Sequence, residues 1–267
     1  MPTTELTLSE IWIYPIKSLG GIKLNSTQVM PKGLKYDRRW MLIDENGTFM
    51  TQRTNAQMAL FKLKLESDQL VISYHQDSIK LPFNHSYDDS PLEVTIWDDQ
   101  VTANEVSETY SSWFSERLNL KCKLVYFPET NPRPVDPRYK VNDEHVSLAD
   151  AYPFLIIGQS SLDDLNKRLA TPVPMNRFRP NFVFTGGQPY EEDTWRNFTI
   201  GTNRYVGVKP CARCVLTTVN QDTAEKGAEP LKTLSTYRRV ENKVLFGQNV
   251  VALDYGNVTV GDKILLN

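Results

Sequence analysis

The chain has 267 residues, which is long enough for one large β-rich unit or for two domains of about 130 residues each. Its 30 basic and 32 acidic residues leave a net charge of -2, which gives no overall attraction to nucleic acid or to an anionic membrane. Three cysteines do not make a disulfide framework and suit a reducing compartment. The first ten residues lack the basic start and apolar run of a signal peptide, and no segment has the roughly 20 apolar residues that span a bilayer. These features predict a cytoplasmic protein without nucleic-acid or membrane partners.

Short β-patterned runs dominate the first part of the chain. Turn residues at Gly20-Gly21, at Glu45 to Gly47 and at Asp98-Asp99 separate several of them, which favours a curled antiparallel sheet or barrel. The apolar residues between 105 and 120 recur at helical spacing and predict one helix with its aromatic side chains in the core. The predicted strands of this part are 11–14, 39–43, 59–65, 70–74 and 92–97.

A loop with four prolines, residues 128–137, follows a predicted strand at 122–127 and cannot be a helix or a central strand. We therefore predict a boundary near residue 125 and two domains, 1–125 and 126–267. In the second part, a strand at 154–157 leads into a helix with Ser160 or Ser161 as its N-cap and Asp163-Asp164 in its first turn. A further helix is expected at 231–239, and further strands at 181–184, 204–208, 215–219, 244–246, 250–253 and 263–266. The predicted fold class is mainly β with a few helices (α+β).

Two of the three cysteines, Cys211 and Cys214, lie close together at what the sequence predicts to be the start of a strand. On spacing alone, metal, redox and structural roles have about even odds. Structural zinc requires four nitrogen or sulfur ligands, and the only other thiol is Cys122, with the three histidines scattered. A thioredoxin-like pair precedes a helix, whereas residues 215–219 are strand-like. What remains is one thiolate, with Arg213 beside it to favour ionisation, that serves a soft metal bringing its own further ligands.

Polar residues also follow strand ends elsewhere in the chain. Lys17 and Ser18 end one strand before Gly20-Gly21 and could present donors to an anion, although a solvated lysine is the simpler explanation. Asp37 and Arg38 lie at the mouth of another strand, where surface ion pairing is the simpler explanation. Arg53 follows the next turn.

The segment Asn176 to Asn181 is harder to explain by solvation, because Arg177, Arg179 and two asparagines flank one aromatic residue directly before an apolar strand. Arginine binds phosphate through two parallel hydrogen bonds, and asparagine pairs with the edge of a heterocycle. The sequence therefore predicts a pocket for a phosphorylated, heteroaromatic ligand beside a reactive thiolate. The glycine patterns of dinucleotide-binding and P-loop proteins are absent from the sequence.

The combination and order of these motifs resemble those of MOSC-domain proteins with an N-terminal MOSC β-barrel domain. The mitochondrial amidoxime-reducing component and its bacterial counterparts belong to this family. The motifs that carry the resemblance span nearly the whole chain: Tyr14–Ser18, Asp37–Trp40, Asn176–Asn181, Cys211–Thr218, Glu229–Leu231, Tyr237-Arg238 and Phe246–Gln248.

The resemblance implies a MOSC β-barrel packed with an N-terminal β-barrel-like domain and a molybdenum cofactor, a pyranopterin dithiolene with a terminal phosphate. By the same resemblance, Cys214 is the metal ligand and the catalytic residue, and Cys211 has a secondary role. Pyridoxal phosphate binding is a possible further family property. The residues expected along the cofactor are Lys17, Ser18, Asp37, Arg38, Arg53, Asn176, Arg177, Arg179, Asn181, Cys211 and Arg213.

The activity implied by the resemblance is two-electron reduction of N-hydroxylated compounds such as amidoximes, hydroxylamines and N-hydroxylated bases. Asp150 and Asp37 are candidate proton donors, although ion pairing is the more common role of such residues. The chain ends at Asn267 without the ferredoxin-like domain of some bacterial relatives, so we expect a separate ferredoxin-, flavodoxin- or cytochrome-type electron donor. Two alternatives stay open: a cofactor carrier or sulfur-transfer protein without reductase activity, and an inert interaction module with a structural cysteine pair.

Overall fold

The computed structural model describes residues 5–85, 87 and 91–267. The first half of the chain is built from short strands and one α-helix, α1 (Glu108–Leu118), which ends where Asn119 adopts a left-handed φ of 52°. Its strands are β1 (Thr7–Ile13), β2 (Ile22–Leu24), β3 (Ser26–Met30), β4 (Gly33–Leu34), β5 (Trp40–Ile43), β6 (Lys62–Leu65), β7 (Gln69–Tyr74), β8 (Asp77–Pro82), β9 (Pro91–Ile96), β10 (Asp99–Glu105) and β11 (Lys123–Tyr126).

The second half adds longer strands and two α-helices, α2 (Gln159–Arg168) and α3 (Leu231–Tyr237). Its strands are β12 (Phe154–Gly158), β13 (Phe182–Thr185), β14 (Asn197–Ile200), β15 (Asn203–Arg213), β16 (Arg239–Val240), β17 (Lys243–Ala252), β18 (Asn257–Thr259) and β19 (Ile264–Leu266). Four short 3₁₀ segments lie at Ala56–Leu60, Met175–Arg177, Glu191–Thr194 and Val215–Thr218. In the part of the chain that the structure describes, no helix is long and apolar enough to cross a membrane.

The largest sheet has the order β19-β14-β15-β17-β12-β13-β1-β2, with β16 paired to β17. β1 is antiparallel to β13, and β13 is parallel to β12. The C-terminal end of β1 and the N-terminal ends of β12 and β13 therefore lie side by side, on the same side of this sheet along the strand direction. Apolar residues from most of these strands, among them Ile11, Phe154 and Phe182, form one buried core cluster.

Three smaller sheets complete the fold, with the orders β5-β11-β10-β9, β6-β7-β8 and β18-β3-β4. The two halves of the chain exchange strands: β1 and β2 join the large sheet, and β18 pairs with β3. The predicted boundary near residue 125 falls within β11, which pairs with β5 of the first half. The division at that residue stays a prediction.

The mainly β fold class with a few helices is confirmed. The predicted helix at 105–120 and the proline-rich loop are also present, the helix as α1 and the loop outside the helices and strands. The predicted strand 59–65 begins later than expected, because residues 56–60 form a 3₁₀ helix and β6 starts at Lys62.

Two further predictions are wrong. Residues 215–218 form a 3₁₀ helix instead of a strand, since the Thr217 and Thr218 hydroxyls donate back to the carbonyl oxygens of Cys214 and Val215. The cysteine pair therefore closes a strand, β15, and the strand that argued against a thioredoxin-like pair is not there. Helix α2 begins at Gln159 after Gly158, with no acidic residue in its first turn, because Ser161 instead donates to the buried Glu192.

Candidate functional site

Cys214 lies directly after the last residue of β15 and before the 3₁₀ segment Val215–Thr218. β15 shifts its register against β17 between Gly207 and Lys209 and again between Pro210 and Ala212, and such bulges redirect side chains. Both Cys211 and Cys214 line the same cavity.

The cavity forms where the end of β1 and the starts of β12 and β13 meet the end of β15. It collects residues from positions far apart in the sequence, including Asp150 just before β12. Most of the predicted site residues line it: Lys17, Ser18, Arg38, Arg53, Arg179, Asn181, Cys211, Arg213 and Cys214.

The sulfur atoms of Cys211 and Cys214 each accept a hydrogen bond from a different arginine. Arg53 Nε donates to Cys214 Sγ over 3.2 Å. Arg213 Nη1 donates to Cys211 Sγ over 3.0 Å, and its Nη2 donates to the carbonyl oxygen of Phe178 over 2.6 Å. The sequence placed Arg213 beside the reactive thiol, whereas the structure places Arg53 there. Sequence reasoning could not find this pair, because its members come from opposite halves of the chain.

Asp150 joins the cations near Cys214. Its Oδ1 accepts from Lys17 Nζ at 2.6 Å and from Trp97 Nε1 at 3.2 Å, and its Oδ2 lies 3.4 Å from Arg53 Nη2. Asp150 thus has the more common role expected of it, as the ion-pair partner of Lys17 and Arg53. The sequence places Trp97 at the end of a predicted strand and gives it no role in the site.

Desolvation and neighbouring charges have opposite effects on the pKa values of Lys17 and Asp150. Burial lowers the pKa of Lys17 to about 8, although the Asp150 carboxylate opposes the shift. Desolvation alone would raise the pKa of Asp150, but Lys17, Arg53 and the Trp97 hydrogen bond outweigh it and hold that pKa well below its usual range. At neutral pH the pair is therefore a lysinium and a carboxylate.

Two other arginines lie over one buried tyrosine. The guanidinium carbons of Arg38 and Arg179 are 4.3 and 4.1 Å from the centroid of the Tyr14 ring. Arg179 Nη1 donates to the carbonyl oxygen of Leu19 over 2.7 Å, and burial lowers the pKa of Arg179 to about 10, so that it stays charged at neutral pH. Burial also raises the pKa of Tyr14 well above its usual range, which keeps the phenol neutral.

The backbone of three cavity residues is strained. Ser18, Arg38 and Arg179 have left-handed φ values of 65°, 50° and 56°. Such conformations cost about 1 to 3 kcal/mol each for residues other than glycine and concentrate at functional sites.

Three predicted site residues, Asp37, Asn176 and Arg177, are not among those that line the cavity. Asp37 is fully buried and accepts hydrogen bonds from Tyr14 N at 2.7 Å and from Asn181 Nδ2 at 3.1 Å. Arg177 Nε donates to the carbonyl oxygen of Thr217 over 2.8 Å, which fixes the segment after Cys214. Asn176 lies next to Arg177 in the 3₁₀ segment Met175–Arg177.

The cavity has the donors for an anionic ligand. Lys17, Arg38, Arg53, Arg179 and Arg213 line it, against the single carboxylate of Asp150. Among the described residues, the Nε of Arg213 is buried without a hydrogen-bond partner, so one donor is available to a ligand. Within residues 5–85, 87 and 91–267, no group of three or more His, Cys, Asp or Glu side chains could hold a metal ion. A metal bound to Cys214 would need ligands from a cofactor.

Comparisons with known proteins cover nearly all of the chain. The MOSC N-terminal beta barrel domain matches residues 5–121 and the MOSC domain matches residues 143–265. The mitochondrial amidoxime-reducing component 1 of Mus musculus is 34% identical over 97% of this chain and 82% of its own length, and that of Homo sapiens is 32% identical over the same shares. The molybdenum cofactor sulfurase of Oryza sativa subsp. japonica is 30% identical over 97% of this chain and 34% of its own length.

Among solved structures, the YuaD protein of Bacillus subtilis aligns with 98% of this chain and 94% of its own, at 9% identity and a TM-score of 0.45. The two domain matches and the sequence relatives together show the family. The chain belongs to the family of MOSC-domain proteins with an N-terminal MOSC β-barrel domain that includes the mitochondrial amidoxime-reducing components.

Proposed function

We propose that this protein reduces N-hydroxylated compounds with a molybdenum cofactor bound through Cys214. The observation that carries the proposal is the Cys214 thiol, which accepts a hydrogen bond from Arg53 inside a cavity lined by five cationic side chains. The names of the amidoxime-reducing relatives support this reaction class. Amidoximes, hydroxylamines and N-hydroxylated bases are the proposed substrates.

The residues of the cavity fit a phosphorylated pterin cofactor. Cys214 would supply the thiolate ligand of molybdenum, since soft metals prefer sulfur. Lys17, Ser18, Arg38 and Arg179 would hold the phosphate and the pterin, because arginine matches phosphate with two parallel donors. Arg213 also lines the cavity, and its Nε has no partner among the described residues. Asn181 lines it too, with its amide group held by Trp12, Asp37 and Leu155.

The cofactor, when bound, supplies the two electrons that cleave the N–O bond, and the reaction also consumes two protons and releases water. Lys17, whose pKa burial lowers to about 8, stays protonated at neutral pH and would serve as a cation for the cofactor phosphate. Asp150 is held as a carboxylate and orients Lys17. Asp37 lies behind the cavity lining, where it pairs with Arg38 and accepts from Asn181. Neither aspartate is therefore proposed as the acid.

The electrons would come from a separate protein of the ferredoxin, flavodoxin or cytochrome type. The expectation of a cytoplasmic location stays a prediction, because the reductase relatives named above are mitochondrial. Pyridoxal phosphate is not part of the proposal: Lys17, the lysine that lines the cavity, is engaged by Asp150 and by the carbonyl oxygen of Leu148.

A second candidate function is cofactor transport or sulfur transfer without reduction. It is favoured by the 30% identity to a molybdenum cofactor sulfurase over nearly the whole chain. A carrier would also use Cys214 and the cationic cavity, so only an activity measurement separates the two functions.

The test begins with molybdenum and pterin analysis of protein purified from a molybdate-supplied host. Cys214→Ala should lose the metal, whereas Cys122→Ala, which removes a buried thiol outside the cavity, should retain it. Equal retention in Cys214→Ala and Cys211→Ala would contradict the ligand assignment. Loaded wild-type protein is then assayed with benzamidoxime, hydroxylamine and a chemical electron donor. A loaded protein that reduces neither compound points to the carrier.

A further inference from the structure

Trp97 occupies a turn position that its residue type disfavours. β9 ends at Ile96 and β10 begins at Asp99, and these two residues pair across the hairpin. Trp97 is the first of the two turn residues and has a left-handed φ of 57°. Glycine is preferred at that position in two-residue hairpin turns, and a bulky side chain there is an outlier. An outlier of this kind suggests a role for the side chain itself.

The Trp97 indole lies against Arg53, which contacts Cys214, and against Asp150 and Phe49. The guanidinium carbon of Arg53 is 4.0 Å from the ring centroid, and Trp97 Nε1 donates to Asp150 Oδ1 over 3.2 Å. Phe49 packs against the same indole, with ring centroids 4.8 Å apart. These contacts hold one orientation of the side chain.

Despite these contacts, 41% of the Trp97 surface remains exposed. The residue does not belong to the cavity lining, but it touches Arg53 and Asp150, which do. Trp97 therefore stands at the rim of the cavity and presents an immobilised aromatic surface beside the charged interior. Aromatic rings contact such a surface in offset or edge-to-face geometry.

We propose that Trp97 is the specificity-determining residue of the cavity entrance and selects N-hydroxylated substrates that carry an aromatic ring. The inference rests on the proposed reductase function, whose substrate class it narrows. The substrate ring packs on the exposed part of the indole, while its N-hydroxylated group enters towards Cys214. Small substrates without a ring, such as hydroxylamine, make no contact with Trp97.

A merely structural Trp97 would hold Arg53 in place and act on every substrate alike. The two roles differ in their effect on a small substrate, which depends on Arg53 and Cys214 but not on an aromatic contact. The variants are Trp97→Gly, which suits the left-handed φ, and Trp97→Phe, which retains a ring. Tyr255→Leu removes another exposed aromatic side chain that is not part of the cavity lining and serves as the control.

In the loaded protein, Trp97→Gly should raise the KM for benzamidoxime about fivefold or more and leave kcat/KM for hydroxylamine within about twofold. Trp97→Phe should recover most of the benzamidoxime affinity, and Tyr255→Leu should match the wild type. An equal loss with both substrates would assign Trp97 to positioning of Arg53 and overturn the proposal.

Binding of benzamidoxime, measured by calorimetry with each variant, gives a readout that does not require turnover. Weaker binding to Trp97→Gly than to wild type supports the aromatic contact even when the wild type shows no reduction, an outcome that would reject only the proposed function. Equal binding to the two proteins, or no binding to wild type, would overturn the role of Trp97.

Discussion

Arg53 donates its Nε–H to the sulfur of Cys214 over 3.2 Å, although the two residues are 161 positions apart in the chain. The Arg53 guanidinium carbon also lies 4.0 Å from the Trp97 ring centroid, and Arg53 Nη2 donates to Asp150 Oδ2 over 3.4 Å. A hydrogen bond to a ligating group orients that group and tunes the metal it binds. Arg53 is thus the contact through which the first half of the chain acts on the proposed metal ligand.

Replacement of Arg53 should weaken cofactor binding without removing the ligand. We expect Arg53→Leu to lower molybdenum affinity by about 10- to 100-fold, the range seen when outer partners of metal ligands are lost. Molybdenum per protein, measured after dialysis against a graded series of chelator concentrations, reports the change. Lys62→Leu is the control, since Lys62 forms an exposed ion pair with Asp222. Unchanged retention in Arg53→Leu would show that the sulfur contact has no influence on the metal.

Lys17 should make stability depend on pH in the alkaline range. Its folded pKa of about 8 is below the unfolded value near 10.4, so the unfolded chain binds more protons between these pH values. Stability from this group therefore rises with pH across that window, by up to about 3 kcal/mol.

Urea unfolding of wild type and Lys17→Met at pH 7 and pH 10 measures this contribution. Lys17→Met lacks the titration, so its stability relative to wild type should fall between the two pH values. Parallel changes in both proteins would mean that Lys17 titrates normally.

Glu192 should give the opposite pH dependence in the acid range. Burial raises its folded pKa to about 7, against the hydrogen bonds from Gly158 N and Ser161 that favour the carboxylate. The folded state therefore holds a proton that the unfolded chain releases near pH 4.3. This stabilisation is complete below pH 4.3 and is lost as pH rises through 7, by up to about 3 kcal/mol.

Thermal or urea unfolding between pH 4.5 and pH 8 tests this expectation. Glu192→Gln should lose less stability across the range than wild type, and the exposed substitution Glu116→Gln should follow wild type. A Glu192→Gln protein with the wild-type pH profile would argue against a protonated buried carboxyl.

Asp37 should be among the most sensitive positions of the fold. It is fully buried, pairs with Arg38 at 2.6 Å and accepts hydrogen bonds from Tyr14 N and from Asn181. Removal of one partner of a buried ion pair leaves an uncompensated charge and costs about 3 to 5 kcal/mol. We expect Asp37→Leu to lose that much stability, measured by urea unfolding of cofactor-free protein.

Asp37→Asn is the milder comparison, because it keeps the shape and one acceptor. Its loss should be smaller than that of Asp37→Leu, together with weaker cofactor retention through the displaced Arg38. A loss below about 1 kcal/mol in Asp37→Leu would show that the local structure adapts to the missing carboxylate.

The sequence by itself determined the fold class and most elements, because alternating apolar residues, turn residues and prolines act over short distances. The helix at Glu108–Leu118 follows from apolar residues at helical spacing, and the proline loop from the missing backbone donors. The sequence also pointed to a ligand site, since arginines and asparagines next to an apolar strand are costly to bury without a function.

Only the tertiary structure decided which of these residues meet. Strand order brings the end of β1 to the starts of β12 and β13, and that placement unites Lys17, Asp150 and Arg179. The tertiary structure also pairs Arg53 with Cys214 and Arg213 with Cys211. Residues 215–218 form a 3₁₀ helix in it, and three predicted site residues are not part of the cavity lining: Asp37, Asn176 and Arg177. Contacts between distant residues depend on long-range pairing and packing, which no local pattern contains.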